Sequence, residues 1–474
     1  MEYDTVVGIE IHLELKTKTK MFSSAPYQFK AEANTCTNEI DLGHPGTLPQ
    51  VNEDAVKKSL MICCGFNATI DPLIKFDRKN YYYSDLAKGF QITQQFHPIG
   101  RNGYVEILVN GQYKKIRINR MHMEEDTAKQ FHLFDQTLID FNRSGVPLVE
   151  IVSEPDIASG DEAMLYVEKI KQTCEYLDVS DVRMEEGSLR CDVNVSVKEK
   201  GSNVFGNKVE VKNLNSIANV KAAIDFETKR QIALIEQGQT VVQETRRFDE
   251  KLNETVSMRL KESSVDYKYF PEPNIFPIRL TDEYINDVKN NMPELPEAKL
   301  KRYIDEYKLN EYDANLILSN RDICFFFDEA CKNAKNKKNL CNLLTSELQG
   351  LLVKNNLTVT SSNVKPNSLA TLSNLVDAGK ISSKQVKDIL PEMLKGKEPD
   401  DIIKEKGIEQ LSDETKILEI VNEVLNNNPQ SIADFKNGKD RAFGFLVGQI
   451  MKMTHGQVNP KIASDILTKE INKR

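Results

Sequence analysis

The segment from Val7 to Leu15 alternates between apolar and polar or small residues at every position. Because successive side chains of a β-strand point to opposite faces, this pattern predicts a strand with two chemically different faces. The apolar face carries Val7, Ile9, Ile11, Leu13 and Leu15, and the other face carries Glu10, His12 and Glu14. A chain with such a strand requires a sheet that buries one face and leaves ionisable groups on the other.

Two further segments repeat this arrangement. An extended Val146–Ser153 directs Glu150 to the same side as Leu148 and Val152, which places this carboxylate in at least half-buried surroundings. In Arg190–Val197 the polar side chains share one face, namely Asp192, Asn194 and Ser196. Burial of a lone ionised carboxylate costs several kcal/mol, so Glu150 requires a proton, an ion pair or a bound cation.

A bound cation is the simplest of these three solutions. Carboxylate oxygens with one imidazole suit Mg²⁺ or Mn²⁺ better than a structural zinc ion, which prefers thiolates and imidazoles. One alternative stays open at this point. The polar residues would then mark only the solvated side of an ordinary antiparallel sheet.

The pattern of the chain changes near residue 280, from short alternating segments to helical periodicity. Its 474 residues suffice for roughly two to four domains of about 100 to 200 residues. Asn110-Gly111 predicts a hairpin between Tyr104–Val109 and Gln112–Asn119. Helices predicted at Gly160–Leu177 and Ala218–Gln237 would back the sheet. We therefore expect an α+β fold, with a β-rich cradle domain and backing helices followed by helical domains.

Composition excludes several classes of protein. The net charge of −8 argues against a wholly basic surface, so any nucleic-acid contact requires local patches. The eight cysteines include no Cys-x-x-Cys pair, which favours reduced thiols. No apolar run approaches the ~18 residues of a membrane span, and the first residues lack the pattern of a signal peptide. A cytoplasmic protein without membrane contact is expected.

The helical part contains two readable units. Ser368–Ala378 ends at Gly379, a predicted left-handed cap, and Ser382 is placed to cap the next helix. A later helix has one apolar stripe, formed by Phe443, Leu446, Val447 and Ile450. It is most simply explained as core.

A loop with polar side chains interrupts the last helices. Thr454–Pro460 contains a glycine turn, and Asn459 with Pro460 predicts the start of the final helix. Binding residues commonly lie on such loops. The candidate binding residues here are Lys452, His455 and Gln457.

A basic and aromatic segment, Asp77–Gln91, has a composition suited to stacking a base and neutralising phosphate. Packing of the same aromatics in a core or a sheet edge is the alternative. The sequence contains no GxxxxGK[ST] loop, GxGxxG, HExxH or GxSxG motif, which excludes the common nucleotide-binding and hydrolase templates.

Several motifs, taken together, resemble the B subunit of the bacterial glutamyl/aspartyl-tRNA amidotransferase, and the resemblance covers essentially the whole chain. They are Val7–His12, Asp77–Tyr81, Met121–Asp126, Asp140–Gly145, Val149–Asp156, Met184–Asp192, Lys212–Ser216, Tyr269–Pro273, Phe445–Lys452 and Gly456–Pro460.

The resemblance implies a ligase that uses ATP in two steps. The side-chain carboxylate of glutamate or aspartate misattached to tRNA is phosphorylated, and ammonia then displaces the phosphate. Ammonia would come from a separate amidase, the A subunit, while a small C subunit would complete a heterotrimer. The implied domains are a kinase and transamidase cradle (1–292), a helical domain (293–407) and a tRNA-binding tail (408–474).

The resemblance also assigns roles to individual residues, and several of these are already marked by alternation. Mg²⁺ would be held by His12, Glu125 and Glu150, with Glu10 and Asp192 as catalytic groups nearby. The expected phosphate- or substrate-binding cations are Lys79, Arg143 and Arg190. Mg²⁺ and these cations would lower the repulsion between the substrate carboxylate and the triphosphate.

The chain departs from the family pattern at several positions. Family members commonly carry a Cys-x-x-Cys pair where this chain has Cys36-Thr-Asn-Glu39, so we expect no zinc ion. Ser84 and Ala87 replace usual prolines, which fits a divergent paralogue. The alternatives are a non-catalytic tRNA-binding paralogue and an archaeal-type relative with an inserted domain. Intact acidic residues argue against the first, and no insertion of that size is present.

Overall fold

A computed structural model of the protein describes residues 2–260, 266–407, 414–436, 439–454, 458 and 460–474. The contacts within it divide the chain into two compact units, Met1–Pro296 and Glu297–Arg474. The first unit combines strands with helices and the second is helical, which confirms the predicted α+β class. The three domains with boundaries after residues 292 and 407 stay a prediction.

The first unit is built around one large sheet. Its strands are β1 (Tyr3–Glu14), β2 (Thr69–Ile70), β3 (Leu73–Ile74), β4 (Asp77–Asn80), β5 (Phe90–Thr93), β6 (Gly100–Val109), β7 (Gln112–Glu125), β8 (Lys129–His132), β9 (Thr137–Asp140), β10 (Pro147–Ser153), β11 (Leu189–Glu199), β12 (Val209–Leu214), β13 (Glu244–Asp249), β14 (Glu254–Leu260), β15 (Phe270–Pro271) and β16 (Ile278–Arg279). Its helices are α1 (Glu53–Gly65), α2 (Gly160–Tyr176), α3 (Ile217–Glu236) and α4 (Asp282–Asn290), with a 3₁₀ turn at Phe141–Arg143.

Nine of these strands form the large sheet in the order β14-β13-β12-β11-β1-β10-β7-β6-β2. Every neighbouring pair is antiparallel except β12 and β13. The predicted alternation of β1 is confirmed, because Val7, Ile9, Ile11 and Leu13 are buried. They share a core with α2 and α3, which contact the sheet and each other. The N-terminal strand is therefore the centre of the sheet and separates the core from the polar face.

The predicted hairpin and the two predicted helices are confirmed. Val109 pairs with Gln112, and the two turn residues between them, Asn110 and Gly111, have φ values of 50° and 78°. Such positive φ at both positions is the geometry of a two-residue hairpin turn. The helices extend over α2 and α3 and begin at serine caps, Ser159 and Ser216. Local turn and cap chemistry thus agrees with the final fold.

The second unit consists of helices, the first of which begins at Pro296, the last residue of the first unit. They are α5 (Pro296–Asp305), α6 (Glu311–Leu318), α7 (Arg321–Cys331), α8 (Lys337–Asn342), a π-helical turn (Leu343–Leu348), α9 (Gln349–Lys354), α10 (Pro366–Asp377), α11 (Ser383–Leu394), α12 (Pro399–Lys406), α13 (Glu414–Asn427), α14 (Pro429–Lys436), α15 (Asp440–Met453) and α16 (Pro460–Lys473). Gly379 has φ of 67° after α10, and Ser382 forms a capping box at α11, as predicted.

The last four helices share a core of their own. Leu446 and Ile450 are fully buried in it, and Phe443 and Val447 pack against it, so the predicted stripe is core. The predicted N-cap Asn459 lies outside the described residues. Across the described ranges, no helix is long and apolar enough to cross a membrane. All eight cysteines are free thiols, as predicted.

A buried ion pair fixes the loop that follows β1. Lys20 and Asp41 are 0% and 2% exposed, and their Nζ and Oδ2 atoms lie 3.1 Å apart. Asp41 also accepts a hydrogen bond from the Ser23 hydroxyl at 2.7 Å. Gly145 lies against this pair with φ of 83°, and a Cβ there would meet Asp41 Oδ1 at 2.9 Å. A glycine is therefore required both by its backbone conformation and by the ion pair.

This geometry predicts unequal effects of two glycine substitutions. Gly145→Ala and Gly111→Ala both place a side chain at positive φ, which costs roughly 1–2 kcal/mol. A Cβ at Gly111 meets nothing within 4 Å, whereas one at Gly145 displaces a buried carboxylate. We expect Gly145→Ala to lose about 1–3 kcal/mol more in the free energy of unfolding. Urea denaturation followed by circular dichroism measures the difference, and equal losses would contradict the role of the ion pair.

Candidate functional site

Antiparallel pairing brings four ionisable residues into one row across the sheet. His12 of β1 pairs with Arg190 of β11 on one side and with Glu150 of β10 on the other. Glu150 in turn pairs with His122 of β7. Paired residues of an antiparallel sheet point to the same face, so the row Arg190, His12, Glu150 and His122 lies on the polar face.

Around this row, two imidazoles and two carboxylates form a compact cluster, here called the acid–imidazole cluster: His12, His122, Glu124 and Glu150. His12 Nε2 lies 3.5 Å from Glu150 Oε2 and 3.7 Å from Glu124 Oε1. His122 Nε2 lies 3.3 Å from Glu150 Oε2 and 3.6 Å from Glu124 Oε2. Ligand atoms of His12, Glu124 and Glu150 all lie within 4.8 Å of one another, which is close enough to hold one metal ion.

Glu125, the predicted metal ligand, lies elsewhere. Its carboxylate accepts hydrogen bonds from Lys88 Nζ at 2.5 and 2.6 Å and from the Ile92 amide at 3.0 Å. Adjacent residues of a strand point to opposite sides, so only one of Glu124 and Glu125 can face the row that contains His122. The structure places Glu124 there. It therefore favours Glu124 over Glu125 as the second carboxylate.

The electrostatics of the cluster favour positive charge. Burial alone would lower the pKa of His122, but the carboxylates of Glu150 and Glu124 outweigh it and raise that pKa to about 9. The pKa of His12 is also raised, since Glu150 and Glu124 oppose the effect of burial. For Glu150, burial is outweighed by the two imidazoles, which hold its pKa well below the ordinary range. A divalent cation matches this field and these donor atoms.

Two of the three predicted phosphate-binding cations are paired with a buried acid. Arg190 donates to both oxygens of Asp126, at 2.6 and 3.3 Å, and Arg143 Nε lies 3.4 Å from Asp126 Oδ2. Burial opposes ionisation of Asp126, but the two guanidinium groups lower its pKa. Glu14 lies nearby, and burial together with the Asp126 charge raises its pKa to about 7. Much of the arginine charge is thus balanced within the protein.

Lys79, the third predicted cation, is placed differently. Among the described residues its side chain makes no hydrogen bond or ion pair, and its Nζ lies 4.8 Å from the centre of the Tyr267 ring and 5.9 Å from that of Tyr81. Burial would lower the pKa of its ammonium, but the Glu124 charge contributes most to the opposite effect and the pKa is raised. Lys79 therefore offers an ammonium group beside the acid–imidazole cluster.

Glu10 and Asp192, the predicted catalytic residues, lie two positions along β1 and β11 from His12 and Arg190 and therefore on the same face. Glu10 pairs with Asp192 across β1 and β11 and accepts a hydrogen bond from Asn194 at 3.0 Å. Burial, followed by the charge of Glu150, raises the pKa of Glu10. Asp192 accepts from Lys212 at 2.5 Å, so its charge is partnered. The structure thus joins Glu10 and Asp192 to the same polar face as the cluster.

A groove of about 360 Å³ adjoins this face at Glu10. Its walls are mostly apolar, with a few polar groups and one lysine. They include Val6, Ile9, Val152, Pro155 and Phe205, together with Asn194, Ser196 and Lys208. A planar, partly apolar ligand with hydrogen-bonding edges fits such a lining.

Two other predictions, the binding loop after α15 and the absence of zinc at Cys36, are tested only in part or not at all. Lys452 is exposed in the last turn of α15, whereas His455 and Gln457 lie outside the described residues. Cys36 is buried, and its backbone amide donates to Asn142. In the part of the chain that is described, Cys36 belongs to no group of three metal-ligating residues. The expected absence of zinc stays a prediction.

Sequence reasoning missed two members of the acid–imidazole cluster, His122 and Glu124. Their spacing of two residues at the end of a predicted hairpin strand was the available signal. It also missed Arg120, which lies on the same face, pairs with Val152 and donates to Gln95 at 3.3 Å. None of these could be chosen over its neighbours without the register of β7 against β10.

A sheet that carries buried acids and imidazoles on its polar face is the architecture of an enzyme domain rather than of a passive binding module. Comparison with known proteins agrees. The family described as the GatB/GatE catalytic domain matches residues 5–286, and the GatB domain family matches residues 325–471. The chain belongs to the GatB family.

Curated relatives are similar over the whole chain. The B subunit of the aspartyl/glutamyl-tRNA(Asn/Gln) amidotransferase of Oceanobacillus iheyensis is 48% identical, with 100% of both chains covered. The protein of the same name from Geobacillus kaustophilus is 49% identical with the same coverage. That from Mesoplasma florum is 47% identical, and the match covers 100% of this chain and 99% of the relative.

The position of Glu124 leads to a prediction about metal affinity. Glu124→Gln keeps the shape of the side chain but removes one negative ligand, so we expect Mn²⁺ affinity to fall by more than about tenfold. Glu125→Gln is the matched control, since its carboxylate bonds Lys88 instead, and should change affinity by less than a few-fold. Electron paramagnetic resonance titration with Mn²⁺ measures both. An equal loss in the control variant would return Glu125 to the metal site.

Proposed function

We propose that this chain is the component of an aminoacyl-tRNA amidotransferase that activates and amidates a side-chain carboxylate, with misacylated Glu-tRNA(Gln), Asp-tRNA(Asn) or both as substrate and ATP as phosphate donor. The observation that carries the proposal is the acid–imidazole cluster, with Lys79 beside it, on the polar face of the sheet. Full-length similarity to proteins that bear this activity in their name supports it.

The cluster fits a resident Mg²⁺ ion by its donors and its charge. His12, Glu124 and Glu150 would hold the ion, as their ligand atoms already lie within 4.8 Å of one another. His122 contacts the same two carboxylates and would orient them. When bound, Mg²⁺ would neutralise charge that develops on phosphate oxygens during phosphoryl transfer.

The protein's own groups address the main difficulty of the first step, in which two anions must meet. A carboxylate oxygen of the substrate attacks the γ-phosphorus of ATP, the bond to the β-phosphate oxygen breaks, and ADP leaves. Lys79 would lower the repulsion, because its ammonium has no ion pair among the described residues. Arg143 and Arg190, as substrate-binding candidates, would act while anchored on Asp126.

In the second step ammonia attacks the carbonyl carbon of the acyl phosphate, and inorganic phosphate leaves with the electron pair of the C–O bond. Glu10 is suited to accept the proton that ammonia loses, since burial and the Glu150 charge raise its pKa. Asp192 lies opposite Glu10, with its own charge held by Lys212. Both residues keep the catalytic roles expected from the sequence.

The groove beside Glu10 is our proposed site for the adenosine of ATP. Its apolar walls suit the faces of adenine, Asn194 and Ser196 offer hydrogen bonds, and Lys208 offers a cation. A triphosphate that begins there would extend past Glu10 toward the cluster. This position places the γ-phosphate next to the groups that handle its charge.

Partners follow from the chemistry of the second step. The sequence carries no amidase signature, so ammonia would be supplied by a glutamine-hydrolysing A subunit, with a small C subunit to complete the heterotrimer. The curated relatives are each named as the B subunit. The alternative, a non-catalytic tRNA-binding paralogue, requires the cluster to have lost its role while its residues remained.

Substitution of Glu150 separates catalysis from binding. In the assembled heterotrimer we expect Glu150→Gln to lower tRNA-dependent ADP formation by at least about 100-fold, since it removes the carboxylate that lies nearer to both imidazoles. Binding of tRNA should change by less than a few-fold. Glu154→Gln is the control, because Glu154 is partly exposed just beyond β10 and its carboxylate accepts from Asn119 rather than from the cluster. Near-normal amidation by Glu150→Gln with ammonium as donor would sink the proposed site.

The last helices lead to a prediction about substrate affinity. The tail, residues 408–474, has its own core and exposed basic residues, among them Lys436, Arg441 and Lys452. We expect its deletion to raise the KM for misacylated tRNA and to leave kcat at saturating tRNA and the partner's glutaminase reaction intact. Its contribution should weaken with salt. If these basic residues form only a solvated face, steady-state kinetics will give an unchanged KM, which contradicts the proposal.

A further inference from the structure

Three tyrosines, Tyr81, Tyr267 and Tyr269, form an aromatic group next to Lys79, here called the tyrosine group. The rings of Tyr81 and Tyr267 are 6.0 Å apart at 75°, and those of Tyr267 and Tyr269 are 5.9 Å apart at 65°. Phe96 adds an edge contact to Tyr269 at 6.4 Å. Tyr81 belongs to the basic and aromatic segment that stands out in the sequence, but the other two come from a distant segment.

The two segments are held together by backbone contacts. The Asn80 amide donates to the Tyr267 carbonyl at 3.0 Å, and the Asn80 side chain donates to the Lys268 carbonyl at 2.8 Å. β15 continues the same pairing with β4, where Phe270 lies opposite Arg78. The tyrosine group is therefore positioned by the fold before any ligand arrives, which lowers the entropic cost of binding.

The tyrosine rings remain available to a ligand. All three tyrosines are partly exposed, and their hydroxyl groups have no hydrogen-bond partner among the described residues. An edge-to-face contact covers one face of one ring rather than stacking two rings, and the partial exposure of all three rings leaves surface for another planar group. Tyrosines packed only as core would be fully buried, as Tyr166 and Tyr176 are in this chain.

Lys79 links the tyrosine group to the acid–imidazole cluster. Its Nζ lies 4.8 Å from the centre of the Tyr267 ring, while the charges of Glu124 and Glu150 act on the same ammonium. A ligand stacked on these tyrosines would therefore place its neighbouring phosphate or ester beside Lys79 and its next atoms at the carboxylates.

We propose that the tyrosine group stacks the unpaired terminal adenine of the aminoacyl-tRNA. Lys79 would then lie beside the phosphate or the ester bond of the terminal nucleoside. The inference rests on the proposed function and names the substrate group that this part of the site receives. The amino acid is esterified to the ribose of that nucleoside, so a side-chain carboxylate at the cluster requires the terminal base to lie one amino-acid length away. Aromatic side chains are the usual platform for an unpaired base.

The adenine of ATP is the competing ligand for the tyrosine group, because it is the same base. The apolar groove beside Glu10 offers that base a separate site, lined by residues of β1, whereas the tyrosine group lies next to β4. Two adenosines must be bound at once in the first step, and the structure provides two sites next to one cluster. We assign the groove to ATP and the tyrosine group to tRNA.

Fluorescence of 2-aminopurine tests this assignment without requiring turnover. The heterotrimer is mixed with uncharged tRNA whose terminal adenine is replaced by 2-aminopurine, since stacking on an aromatic ring quenches this base. We expect quenching with the wild-type complex and with Tyr267→Phe, and a loss of quenching with Tyr267→Leu. Tyr113→Leu, an exposed tyrosine on the distant hairpin, is the matched control and should retain quenching.

A second arm uses 2-aminopurine riboside triphosphate in the same complexes. Its signal should be equal in the wild type and in Tyr267→Leu. If Tyr267→Leu no longer quenches the triphosphate probe but still quenches the tRNA probe, the tyrosine group binds ATP and the inference is overturned. Tyr269→Leu repeats both arms, so that a folding defect in one variant does not decide the result.

Kinetics give an independent readout. For Tyr267→Leu we expect the KM for misacylated tRNA to rise by about 5- to 150-fold, the range of one lost base stack, and the KM for ATP to stay within a few-fold. An unchanged KM for tRNA overturns the inference. Failure of the wild-type complex to amidate misacylated tRNA would instead defeat the proposed function, and the binding arms separate the two failures.

Discussion

The antiparallel register of β10 between β1 and β7 is the constraint on which the site depends. It sets Glu150 between His12 and His122, so that one largely buried carboxylate contacts two imidazoles. Burial of any one of these charged groups alone would cost free energy. The cost is offset because the strand pairing holds an oppositely charged group beside each of them. A shift of one residue would turn the row toward the core and leave unpaired charges there.

The same face distributes its positive charge unevenly. Asp126 holds both Arg143 and Arg190, while Lys79 has aromatic neighbours and no ion pair among the described residues. Arginine suits a fixed bidentate pair, and lysine suits a mobile point charge. The protein thus separates the cations that maintain the site from the cation that is available to an incoming anion.

Much of the fold and part of the site could be predicted from the sequence. Alternation in β1 and the Asn110-Gly111 turn are local signals. Both predictions are confirmed, because the local preference of each segment agrees with its place in the final sheet. The choice between Glu124 and Glu125 could not be made, because it depends on which side of β7 faces β10. The partnership of Arg190 with Asp126, and that of Tyr267 with Tyr81, join distant segments and leave no local trace.

The central place of β1 has a consequence for biosynthesis. Both of its neighbours come much later in the chain, at Pro147–Ser153 and Leu189–Glu199. At about 5–20 residues per second, a ribosome needs on the order of 10–40 s to produce them after β1 has been made. Until β10 has been made, the apolar, strand-forming β1 has neither of its two neighbours in the sheet. The central strand of the sheet therefore completes its pairing only through contacts that are distant in sequence, which makes this a slow step of folding.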